Sequence, residues 1–302
     1  MRAITVKAST PAELVATLPV VFGFVPQESA VLVGVEDGRV TVAGRLDLPT
    51  ALEGDTAAQA FSPVLVKAVA TVLVVLSDTG PVDDVLAKAA VLADSLCTTR
   101  VLVAIDGRVT DDLGDSWEPL SATIAGLPVV TTSHSDLEAI VKGPSSEDWP
   151  HMVAEYLRAS AIVERNDPSW REARLRTYLG LDAAAVRDLL VDDLLQVAAL
   201  VQHGPLRDVV WEDLSQDNAS ERLELWKRVV AVTAGGTDTV APLGVLGITS
   251  WVSGSTALLN LAVDEMLACE DGEPSPFTHL CLMLAASGLG PDSWAEVKEK
   301  LP

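Results

Sequence analysis

Cysteine is scarce in this 302-residue chain, which contains only Cys97, Cys269 and Cys281. Three widely spaced cysteines in a chain of this length argue against the disulfide framework of small secreted domains. The nearest candidate metal ligand, His279, lies two residues before Cys281 on a predicted helix and therefore points to another side of it. Because a zinc site needs three or four converging ligands, we predict no metal site and interpret the cysteines as buried and structural.

Basic residues are also few. The chain has 21 Lys and Arg against 43 Asp and Glu, which gives a formal net charge of −22. No segment is rich in basic residues, so nothing in the sequence is suited to neutralising a phosphate backbone. We therefore predict no nucleic-acid partner, and we attribute the acidity mainly to solubility.

Long apolar runs are missing as well. The longest one, residues 64–76, contains Lys67 and is well short of the ~20 residues that a membrane-spanning helix needs. Residues 2–10 lack the apolar segment of a secretory signal. Apolar residues nonetheless make up 49% of the chain, enough for a sizeable core. We expect a cytoplasmic protein with no membrane partner.

The sequence also lacks the common motifs of α/β enzymes. It contains no G-x-x-x-x-G-K-[ST], no G-x-G-x-x-G and no G-x-S-x-G. These motifs cradle the phosphates of nucleotides and dinucleotides, or place a nucleophilic serine on a sharp turn. No cofactor is therefore predicted, and whether the protein is an enzyme is left open.

What the sequence does contain is clearest from residue 10 onward. Thr10-Pro11-Ala12-Glu13 is a capping box with proline at the first helical position, and it predicts a short helix. We expect Pro19 to end or kink that helix. A turn at residues 26–29 leads to two strand-like runs, residues 30–35 and 39–48. Asp37-Gly38 lies between these runs and predicts a β-hairpin, because both turn residues must take positive φ.

This opening stretch resembles the domain of unknown function 4192 family of high-GC Gram-positive bacteria and their phages. The family pattern is a P-A-E-L helix, a G-F-x-P-x-x-S corner and a hairpin that ends in R-x-D-L-P. The residues that fall on it are Pro11, Ala12, Glu13, Leu14, Gly23, Phe24, Pro26, Ser29, Arg45, Asp47 and Pro49. The second-best stretch is residues 251–267. Many members carry a longer central segment with paired cysteines, whereas residues 106–120 here are short and contain none. The family has no established activity, so the resemblance implies a layout but no mechanism.

Strands and helices alternate after the hairpin. The pattern predicts a helix at 55–69, a strand at 71–76, a helix at 81–96 and a strand at 101–105. We expect residues 107–119 to form an exposed loop and residues 127–132 to form a further strand. This order predicts an α/β N-terminal domain, with a mixed sheet, an early β-hairpin and flanking helices.

The run Lys142-Gly143-Pro144-Ser145-Ser146 is the best domain boundary, and it predicts domains at 1–143 and 144–302. Beyond it the apolar period becomes helical, which predicts an all-α C-terminal domain. Helices are expected at 147–164, 168–179, 182–202, 205–214, 220–234, 242–252, 255–268 and 276–286, with a further one at 291–301. The pattern from Trp251-x-x-Gly254 is typical of a tetratricopeptide-like helical hairpin. An ordinary helical bundle is the alternative, since a repeat array needs about three units.

One group of candidate site residues follows from topology. Asp78 and Asp106 directly follow the two buried strands, and Asp47 follows the second strand of the hairpin. Ligands of open α/β sheets bind beyond the carboxyl ends of strands, so these aspartates could form a rim that binds a cationic ligand or transfers a proton. The alternative is three turn residues that hydrogen-bond to their own backbone. The same two interpretations apply to the residues of the family motif, Gln27, Glu28, Ser29 and Arg45.

Three hypotheses for function remain. The leading one is a non-enzymatic protein-interaction or assembly module, whose helical half binds a protein partner and is compatible with a homo-oligomer. The alternative is a ligand-binding or catalytic α/β domain that uses the rim of Asp47, Asp78 and Asp106. The third, suggested by the phage members of the family, is a virion or host-takeover component.

Overall fold

The computed structural model describes residues 8, 10–37, 39–98, 100–111, 116–120, 130, 132–143, 149–233, 237–270, 272–287 and 289–299. The chain separates into two compact units, one that ends at His134 and one that begins at Ser135. The predicted boundary run falls mostly on residues 144–148, which lie outside the described residues. The division into 1–143 and 144–302 therefore stays a prediction.

The N-terminal unit contains a six-stranded sheet with the order β2-β1-β3-β4-β5-β6. Its strands are β1 Ser29–Glu36, β2 Arg39–Asp47, β3 Ala70–Ser77, β4 Val101–Ile105, β5 Arg108–Asp111 and β6 Trp117–Pro119. Its helices are α1 Pro11–Phe22, α2 Leu48–Ala51, α3 Thr56–Lys67 and α4 Val82–Leu96. Among the described strand pairs β3 and β4 are parallel and the others antiparallel. This confirms the predicted mixed sheet with an early hairpin and flanking helices.

Helices cover both faces of this sheet. On one face, Ala30, Leu32, Leu73, Val75 and Val103 join the core formed with α3 and α4. The alternate residues of the same strands are also buried, and α1 lies on that second face. Strands buried on both faces have continuous apolar sequences, which is why β3 and β4 were recognisable as runs of Val, Leu and Ile.

The first helix begins where the sequence predicts. The Thr10 hydroxyl accepts a hydrogen bond from the Glu13 amide at 3.1 Å, and Pro11 is the first helical residue. The expectation that Pro19 ends or kinks the helix is wrong about the end, because α1 continues to Phe22. It stops at Gly23, whose φ of 76° is left-handed and whose amide donates to the Pro19 carbonyl.

The expected exposed loop at residues 107–119 is also wrong. Ile105 pairs with Arg108 across a second two-residue hairpin, in which Asp106 and Gly107 both have positive φ. β5 and β6 follow in this segment, and Thr110 is buried. The acidic composition pointed to a loop, but an Asp-Gly turn after a buried strand is itself a hairpin signal. The strand expected at 127–132 falls mostly on residues outside the described ranges.

The C-terminal unit is helical, as predicted. After α5, His134–Lys142, its helices are α6 Trp149–Arg165, α7 Pro168–Leu179, α8 Ala183–Asp188, α9 Val191–Leu200, α10 Gly204–Asp213, α11 Ala219–Thr233, α12 Val240–Val252, α13 Thr256–Cys269, α14 Pro276–Ser287 and α15 Trp294–Lys298. Short 3-10 turns lie at Thr237–Thr239 and Pro291–Ser293.

One expected helix, residues 182–202, is broken into α8 and α9. The side chain of Arg228 stabilises this break. Its guanidinium donates hydrogen bonds to the carbonyls of Val186 and Leu189 at the end of α8. The Val186 carbonyl also accepts the Leu189 amide at 3.3 Å, and carbonyls at the end of a helix otherwise lack intrahelical donors. Local sequence cannot reveal a cap that comes from a residue about 40 positions away.

Helix α12 lies at the centre of this unit, and its residues from Ala241 to Val252 are all buried. Two glycines allow close packing: a Cβ on Gly244 would lie 2.5 Å from the ring of Phe277, and one on Gly247 would lie 3.2 Å from Leu259. α12 and α13 form a helical hairpin joined by Ser253–Ser255. A helix that is buried on every side is typical of the centre of a bundle.

Tryptophans connect the helices around α12. The ring of Trp294 lies 6.4 Å from the rings of both Trp211 and Trp251, in edge-to-face geometry. Their indole nitrogens are also used: Trp294 donates to the carbonyl of Leu214 and Trp251 donates to that of Leu289. Such pairs place aromatic area in the core while the polar N–H stays hydrogen-bonded.

Candidate functional site at one edge of the sheet

The strand register places the predicted site residues at one edge of the sheet. Ser29 pairs with Asp47 on one side and with Leu76 on the other, and Ser77 pairs with Ile105. The end of β2, the start of β1 and the ends of β3 and β4 therefore lie in one row. We call this the Glu28 edge; it comprises Gln27, Glu28, Ser29, Arg45, Asp47, Ser77, Asp78, Thr79 and Asp106.

Glu28 is the most connected residue of this edge. Its carboxylate accepts hydrogen bonds from the Ser77 hydroxyl at 3.0 Å, the Asp78 amide at 2.7 Å and the Thr79 amide at 3.0 Å. Its carbonyl accepts from the Leu48 amide at 2.7 Å. Its φ of 42° is left-handed, a backbone conformation that is uncommon outside glycine. Glu28 thus joins the start of β1, the turn after β3 and the start of α2.

Arg45 forms a second group of contacts beside it. Its Nε donates to the Ser29 hydroxyl at 2.9 Å, and its Nη2 pairs with the Asp47 carboxylate. The Ser29 hydroxyl in turn donates to the carbonyl of Gln27 at 2.6 Å. The guanidinium also lies 5.6 Å from the ring centroid of Phe24. Arg45 is 12% exposed whereas Asp47 is 57% exposed, so the pair is open to solvent on its acidic side.

These contacts limit the chemistry of Glu28 and Arg45. A general base needs a free lone pair within hydrogen-bond reach of the proton that it removes. The Glu28 carboxylate instead caps a turn, in the way that a side chain caps a helix, and the Arg45 guanidinium holds the ends of β1 and β2 together. The geometry supports a structural role for the polar residues of the family motif.

The three aspartates of the predicted rim have different surroundings. The Asp47 carboxylate pairs with Arg45, the Asp78 backbone amide donates a hydrogen bond to the Glu28 carboxylate, and Asp106 occupies a hairpin turn. The register places them at the same edge, with the side chains of Asp78 and Asp106 exposed. In the part of the chain that the structure describes, no three His, Cys, Asp or Glu side chains lie close enough together to hold a metal ion. Ligand binding by this rim stays a prediction.

Sequence reasoning missed Ser77, Thr79 and His134 at this edge. Ser77 ends a buried strand, is 2% exposed and donates to the Glu28 carboxylate, and the Thr79 amide donates to the same carboxylate. The ring of His134 lies 5.2 Å from that of Phe24, on the side chain that Arg45 also contacts. No local signal connects His134 to residues more than a hundred positions earlier.

A cavity of about 130 Å³ lies at the opposite end of the sheet. It is lined by Ala8, Thr10, Pro11, Leu14, Val35, Val40, Val72, Arg100 and Leu102. Its one charged lining residue, Arg100, pairs with Asp111 at 2.7 Å. None of the predicted site residues lines this cavity.

The cysteines occupy three different environments. Cys97 is exposed, Cys269 is partly buried and Cys281 is buried. Burial raises the pKa of the Cys281 thiol to about 12, so this thiol stays protonated at neutral pH. Burial, with the nearby carboxylates of Glu265 and Glu270, also raises the pKa of Cys269. A protonated, buried thiol is a poor nucleophile and a poor metal ligand.

The helical unit carries a different kind of feature on α6. A crevice of about 70 Å³ is lined by Met152, Val153, Tyr156, Leu157, Val232, Thr233, Asp238 and Thr239, and we call it the α6 crevice. Leu157 is 60% exposed although it belongs to this apolar wall. Burial, followed by the negative charge of Asp238, raises the pKa of the Tyr156 phenol.

Comparison with known proteins identifies a family for this chain but gives it no activity. None of the described helices is both long and apolar enough to cross a membrane. No curated protein and no solved structure matches the chain. The model of the family described as a domain of unknown function (DUF4192) matches residues 11–292, and the chain therefore belongs to that family.

Proposed function

We propose that this protein is a non-enzymatic interaction module, whose helical unit binds a protein partner through the α6 crevice. The observation that carries the proposal is the 60% exposure of Leu157 beside an apolar concave surface. A single exposed leucine is common, but contiguous apolar surface rimmed by polar residues is typical of interaction sites, and Leu157 lines the crevice together with Met152, Val153 and Val232. Two neighbours in the crevice, Val153 and Leu157, are four residues apart and so form a continuous strip along α6.

The N-terminal unit supports the same proposal. The acidic and basic residues of its motif are engaged in internal hydrogen bonds, with Glu28 bonded to Ser77 and Arg45 bonded to Ser29. These polar groups are therefore engaged within the N-terminal unit itself, and in this proposal the helical unit binds the partner.

The proposal is tested with the full-length protein as bait in extracts of its source cells. Leu157→Asp places a charge on the apolar wall and, because the side chain is exposed, leaves the fold intact. Val91→Asp is the matched control, since Val91 is 62% exposed and lies on the other unit. We expect a partner that binds the wild type and Val91→Asp but not Leu157→Asp. Equal capture by all three proteins would contradict the proposal.

A second candidate function is binding of a cationic ligand at the Glu28 edge. The register favours it, because it brings Asp47, Asp78 and Asp106 to the same edge. Spermidine is a suitable probe, and amide resonances of ¹⁵N-labelled protein report its binding. If this candidate function is right, spermidine should shift the amide resonances of residues 78 and 106. These shifts should be lost in the Asp78→Asn, Asp106→Asn double variant. Resonance shifts that are spread evenly over the acidic surface would contradict this candidate function.

Two other expectations accompany these proposals. A cytoplasmic location fits an interaction module of this kind, and cell fractionation would test it. A role in a phage virion or in host takeover stays a prediction from the family resemblance.

A further inference from the structure

The α6 crevice combines an apolar wall with an acidic end. Met152, Val153, Leu157 and Val232 form the wall. Among the described residues that line the crevice, Asp238 is the charged one and none is a lysine or arginine. The occupant that matches both parts is a side chain with an aliphatic stem and a cationic head, a chemistry that lysine and arginine share and of which lysine is the simpler case.

The hydroxyl groups of the two threonines in the lining already donate hydrogen bonds within the protein. The Thr233 hydroxyl donates to the Val229 carbonyl at 2.9 Å, and the Thr239 hydroxyl donates to the Thr233 carbonyl at 2.7 Å. The backbone of Asp238 is held in place as well, because the Gln202 side-chain amide donates to its carbonyl. Asp238 itself is exposed, so its carboxylate is accessible to an incoming cation.

The charge of Asp238 acts inside the crevice. Asp238 and Tyr156 line the same crevice, and burial followed by the negative charge of Asp238 raises the pKa of the Tyr156 phenol. An ammonium group in the crevice would lie among lining residues that include Asp238 and Tyr156. The net charge of −22 would also favour the approach of a basic partner at long range.

We infer that the α6 crevice binds a lysine side chain of the partner, with its aliphatic stem against Leu157 and its ammonium group at the Asp238 carboxylate. This inference rests on the proposed function and specifies the partner as a protein that presents a basic segment. In this inference Asp238 favours the cationic head, and the apolar wall contacts the aliphatic stem.

The test uses the full-length protein, labelled at its valine and leucine methyl groups, and two peptides. One is Ac-Gly-Gly-Lys-Gly-Gly-NH₂, and the other replaces lysine with norleucine, which keeps the stem but lacks the ammonium group. We expect the lysine peptide to shift the methyl resonances of Val153, Leu157 and Val232. We expect it to bind about threefold more tightly than the norleucine peptide, the scale of an exposed ion pair.

Two variants with the same change in charge make the test specific. Asp238→Asn should lower the affinity for the lysine peptide about threefold and abolish its advantage over norleucine. Asp188→Asn is the control, because Asp188 is exposed at the end of α8 and does not line the crevice. Equal binding of the two peptides, or equal loss in both variants, would overturn the inference.

The outcomes separate this inference from the proposed function. If Leu157→Asp abolishes partner capture while lysine shows no advantage over norleucine, the interaction proposal stands and the lysine assignment is wrong. If Leu157→Asp captures the partner normally, the proposed function is wrong whatever the peptides show.

Discussion

The Glu28 carboxylate accepts a hydrogen bond from the hydroxyl of Ser77, which lies 49 residues later in the chain. Both residues lie where strands begin or end, Glu28 just before β1 and Ser77 at the end of β3. The same carboxylate accepts from the next two amides, so one side chain satisfies the turn that leads to α4. This contact explains why a glutamate occupies a left-handed backbone position at this corner.

Replacing Glu28 with alanine should therefore destabilise the N-terminal unit. Hydrogen bonds to a charged group contribute about 1.5–3 kcal/mol, and the substitution removes the acceptor of three donors. We expect a loss of at least this size in the free energy of unfolding, measured by urea denaturation. A loss below about 0.5 kcal/mol would show that the turn is stable without its cap.

A double-mutant cycle isolates the contact between the two side chains. Ser77→Ala removes the hydroxyl donor but leaves the two amides in place. For residues in direct contact we expect a coupling energy of about 0.5–3 kcal/mol between Glu28→Ala and Ser77→Ala. Strictly additive effects would mean that the hydroxyl contributes nothing through Glu28.

Thr10→Ala should destabilise the fold by about 1 kcal/mol, the usual contribution of an N-cap. The Thr10 hydroxyl accepts from the Glu13 amide, and alanine leaves that amide without this partner. Thr10→Ser is the matched control, because serine keeps the hydroxyl. Thermal or urea denaturation measures both variants, and an alanine variant as stable as wild type would contradict the role of this cap.

Gly244→Ala should destabilise the helical unit by about 1–3 kcal/mol, as overpacking does in a close-packed core. The added Cβ would lie 2.5–2.8 Å from three ring atoms of Phe277. Phe277→Leu in the same chain should recover part of the loss, because a smaller side chain leaves room for the methyl group. Helical circular dichroism against urea gives the comparison, and a double variant less stable than the sum of both changes would contradict the steric explanation.

Cysteine labelling should follow burial. In folded protein at pH 8, iodoacetamide should modify the exposed Cys97 first, while Cys281 stays unmodified because its pKa of about 12 keeps it protonated. Cys281 should react only after denaturation, as measured by mass spectrometry of its peptide. Modification of Cys281 as fast as that of Cys97 in folded protein would show that the core around α12 opens readily.

The division between the units can be tested with fragments. Limited proteolysis should cut near residues 143–146, as the sequence predicts. Fragments 135–302 and 147–302 should both be helical by circular dichroism, and the first should be the more stable because it keeps α5 intact except for its first residue. A fragment 135–302 that is unfolded would show that the two units do not fold independently.

Much of the fold could be predicted from local patterns. The cap of α1 depends on residues 10–13, and the first hairpin depends on an Asp-Gly turn between apolar runs, so both were recognisable. β4 was predicted with its observed bounds, Val101–Ile105, because a strand buried on both faces is a continuous apolar run. Features that depend on a distant partner were not recognisable. The break between α8 and α9 needs Arg228, and β5 needs β4 as its neighbour.

The site divides in the same way. Sequence reasoning selected Gln27, Glu28, Ser29, Arg45 and Asp47 together. The structure connects Gln27, Ser29, Arg45 and Asp47 through hydrogen bonds, an ion pair and register, whereas the Glu28 carboxylate bonds to Ser77, Asp78 and Thr79. Sequence reasoning did not identify Ser77 as the partner of Glu28, and it gave no indication of the α6 crevice. A crevice arises from the way in which α6 lies against the end of α11, and no repeat or motif in either helix encodes it.

The sequence by itself determined the class of each half, because apolar periodicity, caps and Asp-Gly turns act over a few residues and reflect the local backbone. It also determined the absence of the common nucleotide and serine-hydrolase motifs and the strongly acidic charge. Only the tertiary structure decided which side chains have partners, because that depends on strand register and helix packing between distant segments. For this reason the sequence left Glu28 ambiguous while the structure shows its carboxylate bonded to Ser77, and only the structure shows that Leu157 is an exposed residue of a crevice.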